Sequence, residues 1–378
     1  MKDRFSFARL FAMMIKELIQ LRRDRLTFAM MVGIPIIQMT LFGFAINGDP
    51  RRLPTAVVVQ EQGPFTRSLV RALENTGYFE VVAPDTDAAE AERMIERGEV
   101  QFVFTVPAGF ERKLLRGEHP SLLLEADATD PAATGNAIGA VQQLAATALR
   151  HDLDGPLAAA QPGAAPFEWR IHRRYNPEGI TQYNIVPGLM GVILTMTMIM
   201  MTGLAVTREV ERGTMENLLA TPVHPLEVMV GKIGPYIAIG YVQVTIILLA
   251  ARYVFNVPFE GDLGLLLLGV LVFIGASLTV GITISSAAQS QMQAMQMTFF
   301  FFLPSLLLSG FMFPFRGMPD WAQVIGEALP LTHFLRLIRG VMLKGNDWVN
   351  IWPHLWPLLL FTAVVLAIGL KRFRKTLD

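Results

Sequence analysis

The sequence predicts an α-helical polytopic membrane protein with six transmembrane helices and an inserted extracytoplasmic α/β domain. Three observations predict it. Hydrophobic residues make up 52% of the chain and charged residues only 17%, against about a quarter charged in soluble domains. The uncharged residues gather in five long blocks: 26–48, 180–207, 233–251, 263–315 and 348–370. Between the first two blocks lies a stretch of soluble composition in which strand and helix patterns alternate.

The first 25 residues carry Lys2, Arg4, Arg9, Lys16, Arg22, Arg23 and Arg25. Phe7, Leu10, Phe11, Met14, Ile15 and Leu18 fall on one helical face. That pattern fits a cytoplasmic amphipathic helix on the inner leaflet or a packing helix within the protein. A span at 26–46 follows. It is too long, and begins too late, for a cleaved signal peptide.

Residues 47–180 read as one folded unit. Strands are expected at 54–60, 78–82, 100–106, 120–127 and 167–175. Helices are expected at 65–77, 85–98, 109–117 and 136–151, with a flexible connection at 155–166. No glycine-rich phosphate loop or nucleophile elbow appears, and His119, His151 and His172 lack metal-ligand spacing. Glu125, Asp127 and Asp130 read as a solvated loop rather than a metal site. No catalytic and no metal-binding residues are predicted, and a binding or docking role suits the unit better.

Residues 181–371 hold the remaining spans. Each needs about 20 apolar residues to cross the hydrocarbon layer. They are expected at 183–206, 229–251, 263–284, 294–313 and 351–370, the long fourth block turning at its polar knot, residues 285–293. Basic residues at the start, in the 207–232 loop and in the 372–378 tail place both termini in the cytoplasm. Pro314, Pro319 and Pro330 break the 314–345 segment into short helices on the outer side, where Glu327, His333, Arg336 and Arg339 could line the mouth of a path or simply face periplasmic water and headgroups. Met196, Met200, Met292, Gln296 and Phe299 could line its apolar inner part; packing or lipid contact explains them as well. The blocks contain no carboxylate of the kind a proton-driven carrier uses.

The 207–228 loop is unlike the other connections, although an ordinary turn between spans also fits its residues. Arg208, Glu209, Glu211, Arg212 and Glu216 cluster at its start. Thr214 can cap a short helix bearing Met215, Leu218 and Leu219 on one face, ended by Pro222 and Pro225. Such a helix suits docking to a partner. An intramembrane hydrolase lacks paired groups in the spans. A membrane-anchored periplasmic ligand sensor or docking protein would have no use for the loop.

The run REVERGTMENLLATPVHPLEVMVGK resembles the cytoplasmic loop of type-2 ATP-binding-cassette (ABC) exporter permeases, matching at Arg208, Glu209, Glu211, Arg212, Gly213, Thr214, Glu216, Leu218, Thr221, Pro222, Gly231 and Lys232. Segments 309–345 and 16–47 are similar to the same family, in the subclass of multidrug exporter permeases with a large periplasmic domain between the first two membrane helices. The resemblance implies a permease of the bacterial inner membrane, with no catalytic site or cofactor of its own. It implies a second copy or a close paralogue, and two cytosolic ABC ATPase subunits that bind ATP and Mg. It also implies a periplasmic membrane-fusion adaptor and an outer-membrane channel. Arg208 to Leu218 would then form the coupling helix region, and the cargo would be drugs or amphiphilic small molecules. The lipid bilayer is the remaining partner. The chain has no Walker A pattern, and its balance of 32 Lys+Arg against 32 Asp+Glu gives no sign of nucleic acid.

Overall fold

The computed structural model describes residues 50–145, 147–149, 152–153, 166–211 and 225–375. The expected surface helix at 1–25, the span at 26–46, most of the 155–166 connection and the end of the 372–378 tail lie outside these residues.

The inserted unit is an α/β domain built on a five-stranded sheet. Its elements run β1 (Leu53–Val59), α1 (Pro64–Asn75), β2 (Phe79–Ala83), α2 (Ala88–Arg97), β3 (Phe102–Val106), α3 (Phe110–Leu115), β4 (Ser121–Asp127), α4 (Pro131–Leu144) and β5 (Glu168–Arg174). The strand order is β2-β1-β3-β4-β5, parallel except for the antiparallel β3–β4 pair. β1 is apolar almost throughout because both its faces are covered. Ala56, Val58 and Val103 meet Ala91 and Ile95 of α2 on one face, while Leu53, Val57, Phe102 and Phe104 join the larger core on the other. β5, EWRIHRR, lies at the sheet's edge. Trp169 and Ile171 pack inward and its charged residues protect the edge from further pairing. Each local stop has a cause. Asp87 caps α2 by accepting from the Ala89 amide, and Gly98 ends it at φ 72°. Asp130 caps α4 through the Ala132 amide.

A buried asparagine joins this domain to the membrane part. Asn176 accepts from the Ile180 amide at 2.8 Å and donates to the Ile180 carbonyl at 2.9 Å, closing the turn that leads into α5. The membrane part comprises α5 (Thr181–Glu211), α6 (Pro225–Tyr253), α7 (Leu263–Ser285), α8 (Gln291–Leu308), α9 (Asp320–Glu327), α10 (Pro330–Arg339), a π-helical turn (Gly340–Lys344) and α11 (Trp348–Lys375). Among the described residues, four helices are long and apolar enough to cross a membrane: 181–205, 235–253, 263–285 and 348–369.

The expected span at 294–313 needs correction. α8 covers 18 residues from Gln291 to Leu308, roughly 27 Å at the usual rise, and is not among those four. Its run is cut short because Gly310 turns the chain with a left-handed φ of 83°, and Gln291, Gln293 and Gln296 occupy its first turns. The polar knot does form the α7–α8 turn, with the Ser290 hydroxyl accepting from the Gln293 amide. The 314–345 segment breaks up as expected, although Pro330 opens α10 instead of interrupting it.

The spans are not equivalent. α5 and α7 bury 56% and 67% of their apolar windows, α6 and α11 only 17% each. α5 and α7 are therefore the middle of the bundle, and α6 and α11 its flanks. α10 inserts its apolar face beside them: Phe334 stacks on Phe273 of α7, ring centroids 4.0 Å apart and planes within 8°, in a core shared with Met190, Leu194 and Met198 of α5.

Candidate functional site

At the end of the bundle remote from the α/β domain, Glu211 closes α5. One of its carboxylate oxygens accepts from the Gln291 amide at 2.8 Å and the other from Gln291 Nε2 at 2.6 Å. A carboxylate at a helix N-terminus meets unpaired amides and the positive end of the helix dipole. Glu211 thus ties the last turn of α5 to the first turn of α8 across 80 residues of sequence. Arg208, one turn earlier, is exposed. The backbone of Glu209 belongs to α5. Arg212, Gly213, Thr214, Glu216 and Leu218 lie outside the described residues.

At the opposite end, α9 and α10 bring Glu327, His333 and Arg336 together. Arg336 donates to both carboxylate oxygens of Glu327, at 3.0 and 2.6 Å, and its guanidinium lies 4.5 Å from the Phe315 ring centre. Burial alone would raise the Glu327 pKa, but the Arg336 bonds and charge hold it below the usual carboxylate value. His333 Nε2 is 2.8 Å from the Glu327 carbonyl, so this nitrogen carries the proton and Nδ1 does not. Burial pushes His333 below its ordinary pKa, and the ring is neutral at pH 7. This cluster holds α9 against α10, as does Thr332 donating to the Gly326 carbonyl at 2.6 Å.

The same end carries residues that sequence reasoning missed. Lys344, in the π-turn, reaches into the α/β domain. Its Nζ lies 2.5 Å from Asp127 Oδ2 and 3.1 Å from the Ile95 carbonyl, and 5.2 Å from the Tyr175 ring centre. The two side chains are 7% and 8% exposed. The expected solvated loop is corrected accordingly: Asp127 is buried at the end of β4 because a lysine distant in sequence neutralises it. Glu125 is paired with Arg174 at 2.9 Å. Asp130 lies by the same interface, its carboxyl raised by burial and only partly offset by the charge of Arg339. Among the described residues no group of three His, Asp or Glu side chains could hold a metal ion.

Between the α/β domain and the 309–347 segment lies a cleft of about 380 Å³. Arg336 lines it, together with Arg316, Arg339 and Lys344. The residues proposed for the apolar part of a path do not gather there. Met196 and Met200 are half-buried on α5, Gln296 is half-buried on α8, and Met292 and Phe299 are exposed on α8. The fully buried methionines of α5 are Met190 and Met198, which pack against α7 and α10.

A family model described as "ABC-2 family transporter protein" matches residues 25–371. YbhR of Escherichia coli strain K12, described as a "probable multidrug ABC transporter permease", is 29% identical over 370 residues, covering 98% of this chain and 99% of its own. The inner membrane transport permease YhhJ of the same strain is 28% identical over 383 residues, with 97% of each chain covered. The linearmycin resistance permease protein LnrN of Bacillus subtilis strain 168 is 21% identical over 365 residues, covering 92% and 94%.

Proposed function

The chain belongs to the ABC-2 transporter family and is the permease subunit of an ABC exporter of the bacterial inner membrane; from that premise we propose how it is laid out and driven. Six helices span the membrane: residues 26–46, the four long apolar helices, and α8. The α/β domain lies between the first two, on the periplasmic side, with both termini in the cytoplasm. The basic residues at both ends of the chain support that orientation.

Energy enters through the 207–228 loop. Two copies of the chain, or one and a close paralogue, pair with two cytosolic ATPase subunits that bind ATP and Mg. Arg208, Glu209, Glu211, Arg212, Gly213, Thr214, Glu216 and Leu218 form the coupling region. The observation that carries this reading is the Glu211–Gln291 clamp. A push on the loop at the end of α5 is delivered at once to α8, because the two helix ends share one carboxylate. α5 is also packed along α7 at the centre of the bundle, so motion of α5 repacks the core instead of only bending a flank.

The cargo is a drug or amphiphilic small molecule, a reading supported by the descriptions of the relatives. A periplasmic adaptor and an outer-membrane channel complete the route; only the family resemblance supports these two. Arg212→Ala and Glu216→Ala test the coupling role in vesicles reconstituted with the ATPase. Normal insertion with lost efflux, and either a weaker complex or futile ATP turnover, is expected. Wild-type ATPase and efflux rates in both variants would remove these residues from the coupling region.

A further inference from the structure

The cleft between the α/β domain and the 309–347 segment has walls of opposite sign. The membrane-side wall presents Arg316, Arg336, Arg339 and Lys344, and the domain-side wall presents Glu96, Glu99, Asp127 and Asp130 beside a single cation, Arg97. Two of the four cations are already neutralised, Lys344 by Asp127 and Arg336 by Glu327. The other two make no ion pair among the described residues, although Arg339 has the opposite charges of Asp130 and Asp127 near it. Arg339 donates through Nη1 to the Gly310 carbonyl at 3.2 Å, while its Nε and Nη2 are buried with no hydrogen-bond partner among the described residues. Arg316 stands exposed at the rim and makes no ion pair among the described residues. Asp130 lies within reach of the charge of Arg339 and makes no ion pair among the described residues, and its Oδ1 accepts from the Ala132 amide.

A guanidinium always carries its charge and presents five donors in a flat fork that matches carboxylate and phosphate oxygens. Unused donors on a buried arginine are costly unless something with acceptor oxygens meets them. Lys344 and Arg336 show how this wall is satisfied elsewhere: by carboxylate oxygens. We propose that the cleft binds a singly charged acidic group, a carboxylate or a phosphodiester, between Arg316 and Arg339. Asp130 on the facing wall sets the charge limit, because a dianion would bring a second negative charge towards it. Pro314, Phe315 and Leu335 of the lining give the carbon stem of such a molecule an apolar rest. The shared chemistry has two sources, the headgroup of an anionic phospholipid and the acid group of an amphiphilic cargo.

Binding is measured on the full-length chain in an uncharged maltoside detergent, by titration calorimetry with native mass spectrometry for stoichiometry. The probes are dihexanoyl phosphatidylglycerol, octanoate and inorganic phosphate. At least one of the first two is expected to bind one per chain, more tightly than inorganic phosphate. Phosphatidylglycerol alone identifies the site with a lipid headgroup, octanoate alone with an acidic cargo. Arg316→Gln, on the exposed rim, weakens binding by roughly ten- to a hundredfold, the loss expected for one charge-assisted hydrogen bond. Arg339→Gln does the same where it folds. Asp130→Asn, which keeps the helix cap, tightens binding. Absence of binding by both organic probes, wild-type affinity in Arg316→Gln, or weaker binding in Asp130→Asn overturns the proposal. No ATPase is present, so these outcomes are independent of the coupling role tested above.

Discussion

Lys344 shows how much one side chain can hold. Its ammonium group satisfies the carbonyl near the end of α2, neutralises Asp127 and lies over the Tyr175 ring. Three effects converge on this cation: a helix C-terminus favours it, a buried carboxylate needs it, and an aromatic face accepts it. Lys344→Met leaves the Asp127 charge buried with no counter-ion, its Oδ1 still accepting from the Thr129 amide and hydroxyl, a change that costs about 3–5 kcal/mol. The expected result is a lower thermal midpoint and faster proteolysis of the α/β domain in the full-length protein. Asp127→Asn added to Lys344→Met restores part of the loss, since the stranded charge is then gone. A single variant with the wild-type midpoint would mean that the pair contributes nothing to docking.

At the scale of elements, the contact between α5 and α7 depends on two glycines with different tolerances. A Cβ on Gly281 would lie 2.8 Å from the Ile199 carbonyl oxygen and 2.9 Å from Thr202 Cβ, so backbone would have to move. A Cβ on Gly203 would meet the Gly281 carbonyl oxygen at 3.7 Å, an ordinary contact. Small residues at such crossings let helices pack closely in lipid, where no hydrophobic force drives them together. Gly281→Leu is expected to destabilise the bundle by about 1–3 kcal/mol through overpacking, and to loosen the α5 end that bears Glu211. Gly203→Ala is expected to stay near wild type. Thermal unfolding of both variants in detergent separates the two; equal midpoints would show that α5 and α7 do not approach closely here. Threonines along α5 fit the same environment. Thr195, Thr197 and Thr207 each donate back to a carbonyl one turn earlier, which hides their hydroxyls from the hydrocarbon.

On the scale of the whole molecule, the two ends do different work. The Glu211–Gln291 clamp marks one end. The other end carries α9, α10, the π-turn and the α/β domain, fastened by Asn176 and Lys344. With the proposed orientation, the domain lies outside the cytoplasm. The chain has no cysteine, so single cysteines report topology cleanly. Glu90 and Arg116 have side chains 43% and 63% exposed, and their surface ion pairs are worth little. Glu90→Cys and Arg116→Cys should react with a membrane-impermeant maleimide once the outer membrane is made permeable and the inner membrane is intact. Reaction only after the inner membrane is broken would reverse the topology.

What the sequence determined by itself was set by short-range rules. Long uncharged runs located the four long apolar helices, since burying charge in hydrocarbon is prohibitive. Alternation of strand and helix patterns located all five strands of the inserted unit to within two residues at each end. α8 departs from the expected span at both ends: capped by Ser290, it begins three residues before the expected start, and the left-handed turn at Gly310 stops it five residues before the expected end. The tertiary structure alone decided the pairings. Glu125, Asp127 and Asp130 lie within six residues, yet one meets Arg174, one meets Lys344 and one faces Arg339. Their sequence neighbourhood is that of a solvated loop. Only the return of the chain through the π-turn, 217 residues beyond Asp127, supplies the lysine. Glu211 was legible as part of a charged loop, but its partner Gln291 was not, because a helix end and its cap need be near only in space. Local physics fixes which segments fold and how. Which charge meets which depends on packing, and packing is a property of the folded whole.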